Sequence, residues 1–551
     1  MPSVAVLAPI AFPLIAAAVI SLFGVAGIDL GRIATGLGAW AAVAALFAVW
    51  LPIRSSVELV LGQLGYGSTL DLRVDGVAFA FGLMIAIPAA ILLSLQPRSW
   101  PEAAIGLLGL AAAIATVEAG GVVVTAITGG TAATVAVVML DTEDPDATRP
   151  SWGYLLAAWL ALSLVGVILQ VAGGTAVYSA VPVAAITPAV FALLAFAAVL
   201  ASCLFPWRSW VAQVWMRPSL HAAGIAVATL FPLGFYLLVR AYELGDGRYP
   251  SMAFNVALSV LGLVVAVTAA ARAQAASTRR EFLSEVVPGF GGFALAAISL
   301  GTPLGLVSGI VILATASAFV AALALLPDRA GIPSLVTIAA AAGIPPGIAF
   351  GARVVGIEAA IEADPSLGFI GLGIAITWIL WMVAGARAIG LPGGRGHPSA
   401  ETFPAIAMTI ALLTLAAGPA LALFVSGFAN PVAAEVMRAP ASALGGGVTS
   451  IVTTSSLLPV VTLFVPLLVI AIAMYFATTT SAIKTQARPA LFPVTAPRFL
   501  ERLRSTLQAA TVPEQYRSIL SLRELESAAA RGNPIVWVVV LLALGFAVTR
   551  Y

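Results

Sequence analysis

The chain has 551 residues, of which 61% are hydrophobic and 9% charged, with a formal net charge of +2. Soluble domains carry about 25% charged residues, so this composition excludes a soluble globular protein, and the near-neutral balance gives no sign of a nucleic-acid partner. A single cysteine, Cys203, excludes an internal disulfide and a Cys-ligated iron–sulfur cluster within the chain.

Apolar runs of about 20 residues, long enough to cross a hydrocarbon core about 30 Å thick, recur from one end to the other. Sixteen spans are predicted: 4–27, 31–52, 74–95, 102–118, 120–140, 152–172, 184–205, 219–240, 252–274, 286–301, 303–326, 333–361, 366–388, 402–427, 456–477 and 534–549. The first is too long, and its flank too uncharged, for a cleaved signal peptide. Between the second and third spans, 56–74 alternates on both sides of a glycine turn through Gly65 and Gly67, which predicts a short external β-hairpin. Asp141 to Asp146 form an acidic, solvated loop. Glu435 and Arg438, at i and i+3, are expected to pair in an external loop or re-entrant segment. The polar stretch 479–533 holds an amphipathic helix over 497–530, with leucines on one face and Arg498, Arg502, Arg504, Arg517 and Arg523 beside them, suited to a membrane surface or a partner subunit.

Of the 26 Lys and Arg, 19 fall in loops after odd-numbered spans, 6 in loops after even-numbered spans or at the C-terminus, and one, Arg353, inside a span. The positive-inside rule makes the odd side cytoplasmic and places both termini outside. Only one of the 26 is a lysine, Lys484, and it lies outside every span. Burial can tune a lysine to exchange protons near neutral pH, whereas an arginine stays charged.

Four stretches resemble the antiporter-like membrane subunits of respiratory complex I, membrane-bound hydrogenases and Mrp sodium/proton antiporters. They are Leu72-Arg73-Val74-Asp75-Gly76-Val77 entering the third span; Phe205-Pro206-Trp207-Arg208-Ser209-Trp210, similar to F-P-x-H-x-W; Leu220-His221-Ala222-Ala223 followed by Tyr236-Leu237-Leu238-Val239-Arg240, similar to L-H-A-A and Y-L-L-x-R; and Gly343-Ile344-Pro345-Pro346 with Arg353, similar to G-x-P-P-x-x-G-F-x-x-K. The order and spacing match as well, over most of the chain. The resemblance implies an all-α polytopic membrane protein with two inverted five-helix repeats, each with one broken helix. The breaks fall at Pro206 and at Pro345-Pro346, where proline frees backbone groups inside a span. The implied divisions are N-terminal helices and hairpin (1–101), first repeat (102–240), second repeat (252–388), further helices (402–477), a cytoplasmic amphipathic tail (479–533) and a last span (534–551).

The family's titratable groups are mostly missing. Its glutamate falls near Gly130, its first lysine near Ala201, its histidine cluster has no counterpart in 303–326, and its last lysine aligns with Arg353. The remaining candidates for a proton path are His221, able to titrate near pH 6.5 if hydrated, Arg353, Glu358 and Glu118. Glu118 lies near a span junction, within reach of a headgroup. Arg353 and Glu358 are about 140° apart on a helix and pair only if it is distorted, while Glu358 and Glu362 share a face, with Glu362 at the surface. No flavin, nucleotide or metal motif is present, so no cofactor is expected and any redox chemistry falls to partners.

The leading expectation is a membrane subunit of a complex I-like or hydrogenase-like assembly in the bacterial inner membrane. Its partners would be other membrane subunits and quinone-reducing or iron–sulfur subunits, and its own relay is lost or rebuilt. The alternatives are the membrane subunit of an ion or inorganic-carbon uptake system, or a stand-alone transporter. An intramembrane enzyme is disfavoured, because there is no H-E-x-x-H and the two histidines, His221 and His397, match no nucleophile motif.

Overall fold

The structure, a computed structural model, describes residues 2–28, 30–65, 68–95, 99–143, 152–202, 204, 210–216, 220–326, 331–393 and 402–438. The predicted spans 456–477 and 534–549, the tail, Lys484, Pro206 and His397 lie outside them.

A short turn, α1 (Pro2–Ala5), precedes two long apolar helices, α2 (Ala8–Val25) and α3 (Gly31–Trp50). The predicted hairpin follows as β1 (Val57–Gly65) and β2 (Ser68–Val74), antiparallel, with Glu58 opposite Arg73. Then come α4 (Gly76–Leu95), α5 (Trp100–Val117), α6 (Val122–Glu143), α7 (Trp152–Gly173), α8 (Pro188–Ala201), α9 (Trp210–Trp215) and α10 (Leu220–Leu244). A second series holds α11 (Met252–Ala275), α12 (Arg279–Ser284), α13 (Val286–Ile298), α14 (Pro303–Leu325), α15 (Ile332–Ala342), α16 (Ile348–Ala363) and α17 (Gly368–Ala388). The described chain closes with α18 (Pro404–Ala416), α19 (Leu421–Phe424), a π turn at Val425–Ala429 and α20 (Asn430–Val436). The protein is thus an all-α polytopic membrane protein with one small hairpin. Among the described residues 11 helices are long and apolar enough to cross a membrane, or 12 if the bent α18–α20 pair counts as one.

The helix starts are written locally. Thr187, Thr278 and Thr302 each cap a helix by accepting from the backbone N–H three residues on, at 3.3, 3.2 and 3.1 Å, and Pro188 and Pro303 supply the first turns of α8 and α14. Hydroxyls within the spans return to the carbonyl four residues back, as Thr116, Thr229 and Thr315 do, and so need no outside partner. Helices α10 and α14 are buried almost throughout, touch each other, and both pack on α4; this is where the two series meet. Gly234 lets α10 approach α8 so closely that an added methyl would overlap the Ser202 backbone.

The run 333–361 holds α15 and α16, with Pro345 and Pro346 between them. One predicted span is corrected. The run 402–427 does not cross straight: α18 ends at Ala416 and the arm Leu421–Val436 leaves at 96°. The cause lies in Gly418-Pro419, because Pro419 has no N–H to continue α18 and disfavours helical backbone at the residue before it.

Candidate functional site: a buried charge network and a broken helix

Five charged side chains, from β2, the β2–α4 junction, α10 and α20, meet at the hairpin end of the bundle. Arg240 Nη1 and Nη2 donate to Asp75 Oδ2 and Oδ1 at 2.8 and 3.0 Å, a two-pronged contact, while Nη1 also donates to Glu243 Oε2 at 2.5 Å and Nε to the Tyr236 hydroxyl at 3.1 Å. Its guanidinium lies 5.3 and 5.1 Å from the ring centres of Tyr178 and Tyr236. Arg73 joins the same carboxylates from the strand: Nε lies 3.0 Å from Asp75 Oδ2, Nη1 donates to Glu243 Oε1 at 3.1 Å, and Nη2 donates to Glu435 Oε1. Half-exposed Glu58 stands at the rim, 3.7 Å from Arg73 Nε. The side chains of Asp75, Arg240, Glu243 and Arg73 are 0–7% exposed. Burying such ions singly costs several kcal/mol each; here every charge has an opposite charge in contact.

Asp75, Glu243 and Glu435 bring ligand atoms within 4.8 Å of one another. They do not fit a metal ion, because each is already bound to a guanidinium and an added cation would face two like charges. The expected Glu435–Arg438 pair is not formed. The bend after α18 carries Glu435 inward to Arg73, and Arg438 Nε lies 3.2 Å from Asp246 Oδ1 instead.

Asp71 borders this network from the strand, with its carboxylate against Gly120 and its Oδ1 without a hydrogen bond among the described residues. Burial pushes the Asp71 carboxyl above the usual carboxylate range, against the smaller opposing effect of the Thr69 hydroxyl. A raised folded-state pKa means that ionising Asp71 is harder in the folded protein than in the unfolded one. Its favourable contribution is therefore full below the unfolded pKa and is lost as pH rises through the folded one. Asp71→Asn should raise the thermal midpoint relative to wild type at neutral pH, with the gain vanishing in acid. Midpoints of both proteins across a pH series test this, and a gain equal at every pH would overturn it.

The second feature is the break between α15 and α16, where Pro345 and Pro346 lie. Helix α15 ends on Gly343, in the left-handed region with φ 73°. Arg353, one turn into α16, reaches back across the break. Its Nη1 donates to Ala342 O at 3.1 Å, while Trp378 Nε1 donates to Gly343 O at 3.2 Å. The guanidinium sits over Phe293, Phe290 and Trp378, at 4.6, 5.1 and 5.9 Å. Arg353 thus caps the negative end of α15 and is met by ring faces, two favourable settings for a cation. Among the described residues it meets no carboxylate: α16 continues regularly to Ala363, so Arg353 and Glu358 point apart, and both Glu358 oxygens are buried without a hydrogen bond there. Glu362 is exposed.

The other sequence candidates lie apart. His221 is buried in the first turn of α10, at the end opposite the hairpin. Glu118 follows α5 at the hairpin end. It does not reach a headgroup: it is 0% exposed, its backbone carbonyl accepts from Arg73 N–H, and both carboxyl oxygens lack a hydrogen-bond partner among the described residues. Helix α8 stops at Ala201 and α9 starts at Trp210, with Pro206 between them and outside the described residues. The charge network was not among the sequence candidates. Its signal was present in two of the motif stretches, which hold Arg73, Asp75 and Arg240, but their meeting across 165 residues is a tertiary fact.

The class these features define is a multi-pass membrane protein with the fold of antiporter-like subunits of respiratory and Mrp-type complexes. Against solved structures, the chain is similar to one from the Mrp complex of Dietzia sp., at 20% identity and TM-score 0.72, covering 96% of this chain and 62% of that one. It therefore spans somewhat less than two thirds of that chain's length. It is also similar to a chain of respiratory complex I from Thermus thermophilus, at 20% identity and TM-score 0.63 over 81% of this chain and 100% of that one. A third similarity is to a chain of the membrane-bound sulfane sulfur reductase, an archaeal respiratory membrane complex, at 17% identity and TM-score 0.63, covering 79% and 98% of the two. No family model matches the sequence, and no curated protein matches it.

Proposed function

We propose that the chain is a membrane subunit of a multi-subunit ion-translocating complex of the respiratory, hydrogenase or Mrp type, in which it couples or seals neighbouring subunits and does not load protons on a glutamate–lysine pair of its own. The observation that carries this reading is Arg353: among the described residues it caps a helix end and stacks on aromatic rings, with no acid in contact with it to exchange a proton. The first half supports it. The place of the family's glutamate, near Gly130, holds no carboxylate, the neighbouring Gly129 is packed against the Trp159 ring, and α4 to α10 carry no Asp, Glu, His, Lys or Arg except near their ends. Quinone-reducing and iron–sulfur partners, a bacterial inner membrane and termini on the outer side belong to the same proposal, as do the two repeats at 102–240 and 252–388.

The test is mass spectrometry of the proteins that co-purify with the tagged chain after gentle extraction, followed by ion translocation by the isolated complex carrying Arg353→Met with Glu358→Gln. Antiporter-like and redox or Mrp-type subunits are expected, with translocation within about twofold of wild type. A stand-alone monodisperse chain would overturn the subunit reading. Translocation lost in an intact complex would show a rebuilt proton path through these residues, as expected of ionisable groups buried in a membrane.

A further inference from the structure

The break between α15 and α16 faces a second break. Helix α18 packs on α15 and α16, and its end at Gly418-Pro419 lies directly against the first break. A Cβ added at Gly418 would overlap the Pro346 carbonyl, and one at Gly347 would stand 3.3 Å from the Leu415 side chain. Just past the bend, Leu421 covers Gly351 in the first turn of α16, its Cδ2 lying 2.6 Å from the position of an added Cβ. Contacts this close leave no slack, so neither break can shift without displacing the other. The arm that leaves the bend, Leu421–Val436, crosses α14 and α4 and ends beside α10. At 1.5 Å per residue it is about 24 Å long. Val425, Ala429, Val432, Ala433 and Val436 form a buried stripe along it at helical spacing, while Leu423, Ser426 and Gly427 are exposed. Its far end is anchored in three places. Pro431 rests on Gly76, where an added Cβ would lie 2.8 Å from Pro431 O; Glu435 Oε1 accepts from Arg73 Nη2; and Arg438 Nε, just beyond the arm, lies 3.2 Å from Asp246 Oδ1.

We propose that this arm is a conformational link that ties the broken helix of the second series to the buried charge network on α4 and α10, so that loosening either end loosens the other. The near end is held by backbone contacts at the break and the far end by a charge pair. Between them runs one apolar stripe with no break in its burial, so the arm moves as a body. Releasing Glu435 from Arg73 frees the far end and weakens the hold of Leu421 and Gly418 on Gly351 and Pro346. The effect runs equally in reverse, because coupling between two sites is reciprocal. Sites this far apart ordinarily respond independently, which makes the link measurable. It is a property of the single chain and holds whether or not the chain is a subunit of a complex.

The experiment is hydrogen–deuterium exchange of the full chain as extracted, with any co-purifying subunits, read by mass spectrometry at both ends of the arm. Glu435→Gln cuts the far anchor at constant size, and Leu421→Ala loosens the near one. Gly427→Ala is the control, since a Cβ there meets nothing within 4 Å. Glu435→Gln should speed exchange of the Gly347, Phe350 and Gly351 amides, which bond within the break, by about tenfold. Leu421→Ala should do the same for the Asp246 and Gly247 amides, which bond back to Glu243 O and Tyr242 O beside the network. The double variant should exchange no faster at either end than the faster single variant, and Gly427→Ala should match wild type. Should Leu421→Ala fail to fold, Glu435→Gln decides the matter alone, because its readout lies at the remote end. Exchange speeded only at the end that carries the substitution would make the arm passive packing and overturn the link. Equal speeding in α7, which packs on α6 and α8, would be general loosening and would overturn it as well.

Discussion

Arg240→Met is expected to cost about 3–5 kcal/mol, the usual effect of removing one partner from a buried ion pair, and to leave little monodisperse protein after extraction. Methionine replaces much of the apolar volume but none of the four hydrogen bonds, so Asp75 and Glu243 remain buried, with only Arg73 to share between them and Glu435. Arg240→Lys should be intermediate, because an ammonium keeps the charge but cannot hold both Asp75 oxygens in one plane. Adding Asp75→Asn to Arg240→Met should recover part of the loss by removing the stranded charge. Recovery on size exclusion and thermal midpoints for the four proteins measure this. A single methionine variant as stable as wild type would mean that the network contributes nothing to the fold and that its ions are hydrated.

Local chemistry made much of this fold legible. The spans are long apolar runs, so hydropathy placed 76–95, 220–244, 252–275 and 303–325 within a few residues; the hairpin declared itself by alternation about glycine. The bend at Gly418-Pro419 was missed because the residues after it stay apolar, and hydropathy registers composition, not direction. The charge network was missed for a different reason. Arg73 and Asp75 sit on either side of a strand–helix junction and Arg240 near a helix end, places where charges ordinarily meet water. Only packing of α4, α10 and α20 together turns them inward and draws Glu435 away from Arg438. At the broken helix, the prolines and Arg353 could be read from the chain, but the capping of α15 could not: the residues that receive the guanidinium, Phe290, Phe293 and Trp378, come from α13 and α17 and look like ordinary core.

That seat for Arg353 makes a sharp prediction about its neighbour. Gly343 combines φ 73° with a backbone that an added Cβ would drive into Arg353 Nη1. Gly343→Ala therefore carries two penalties: about 1–2 kcal/mol for a left-handed alanine, and about 1–3 kcal/mol for overpacking against the guanidinium. In an Arg353→Met background the flexible thioether can move aside, so only the first penalty should remain, and the double-mutant cycle should show a coupling of about 1–3 kcal/mol. Arg353→Met alone should change stability little, because losing the bond to Ala342 O is offset by removing a buried cation that has no counter-ion among the described residues. Thermal midpoints of the four proteins in one detergent give the cycle. If Gly343→Ala costs the same in both backgrounds, the guanidinium does not rest against Gly343. It would then be free to move within the break, and a charge that moves at a broken helix is what an ion path requires; the coupling role proposed for this subunit would give way to translocation through Arg353.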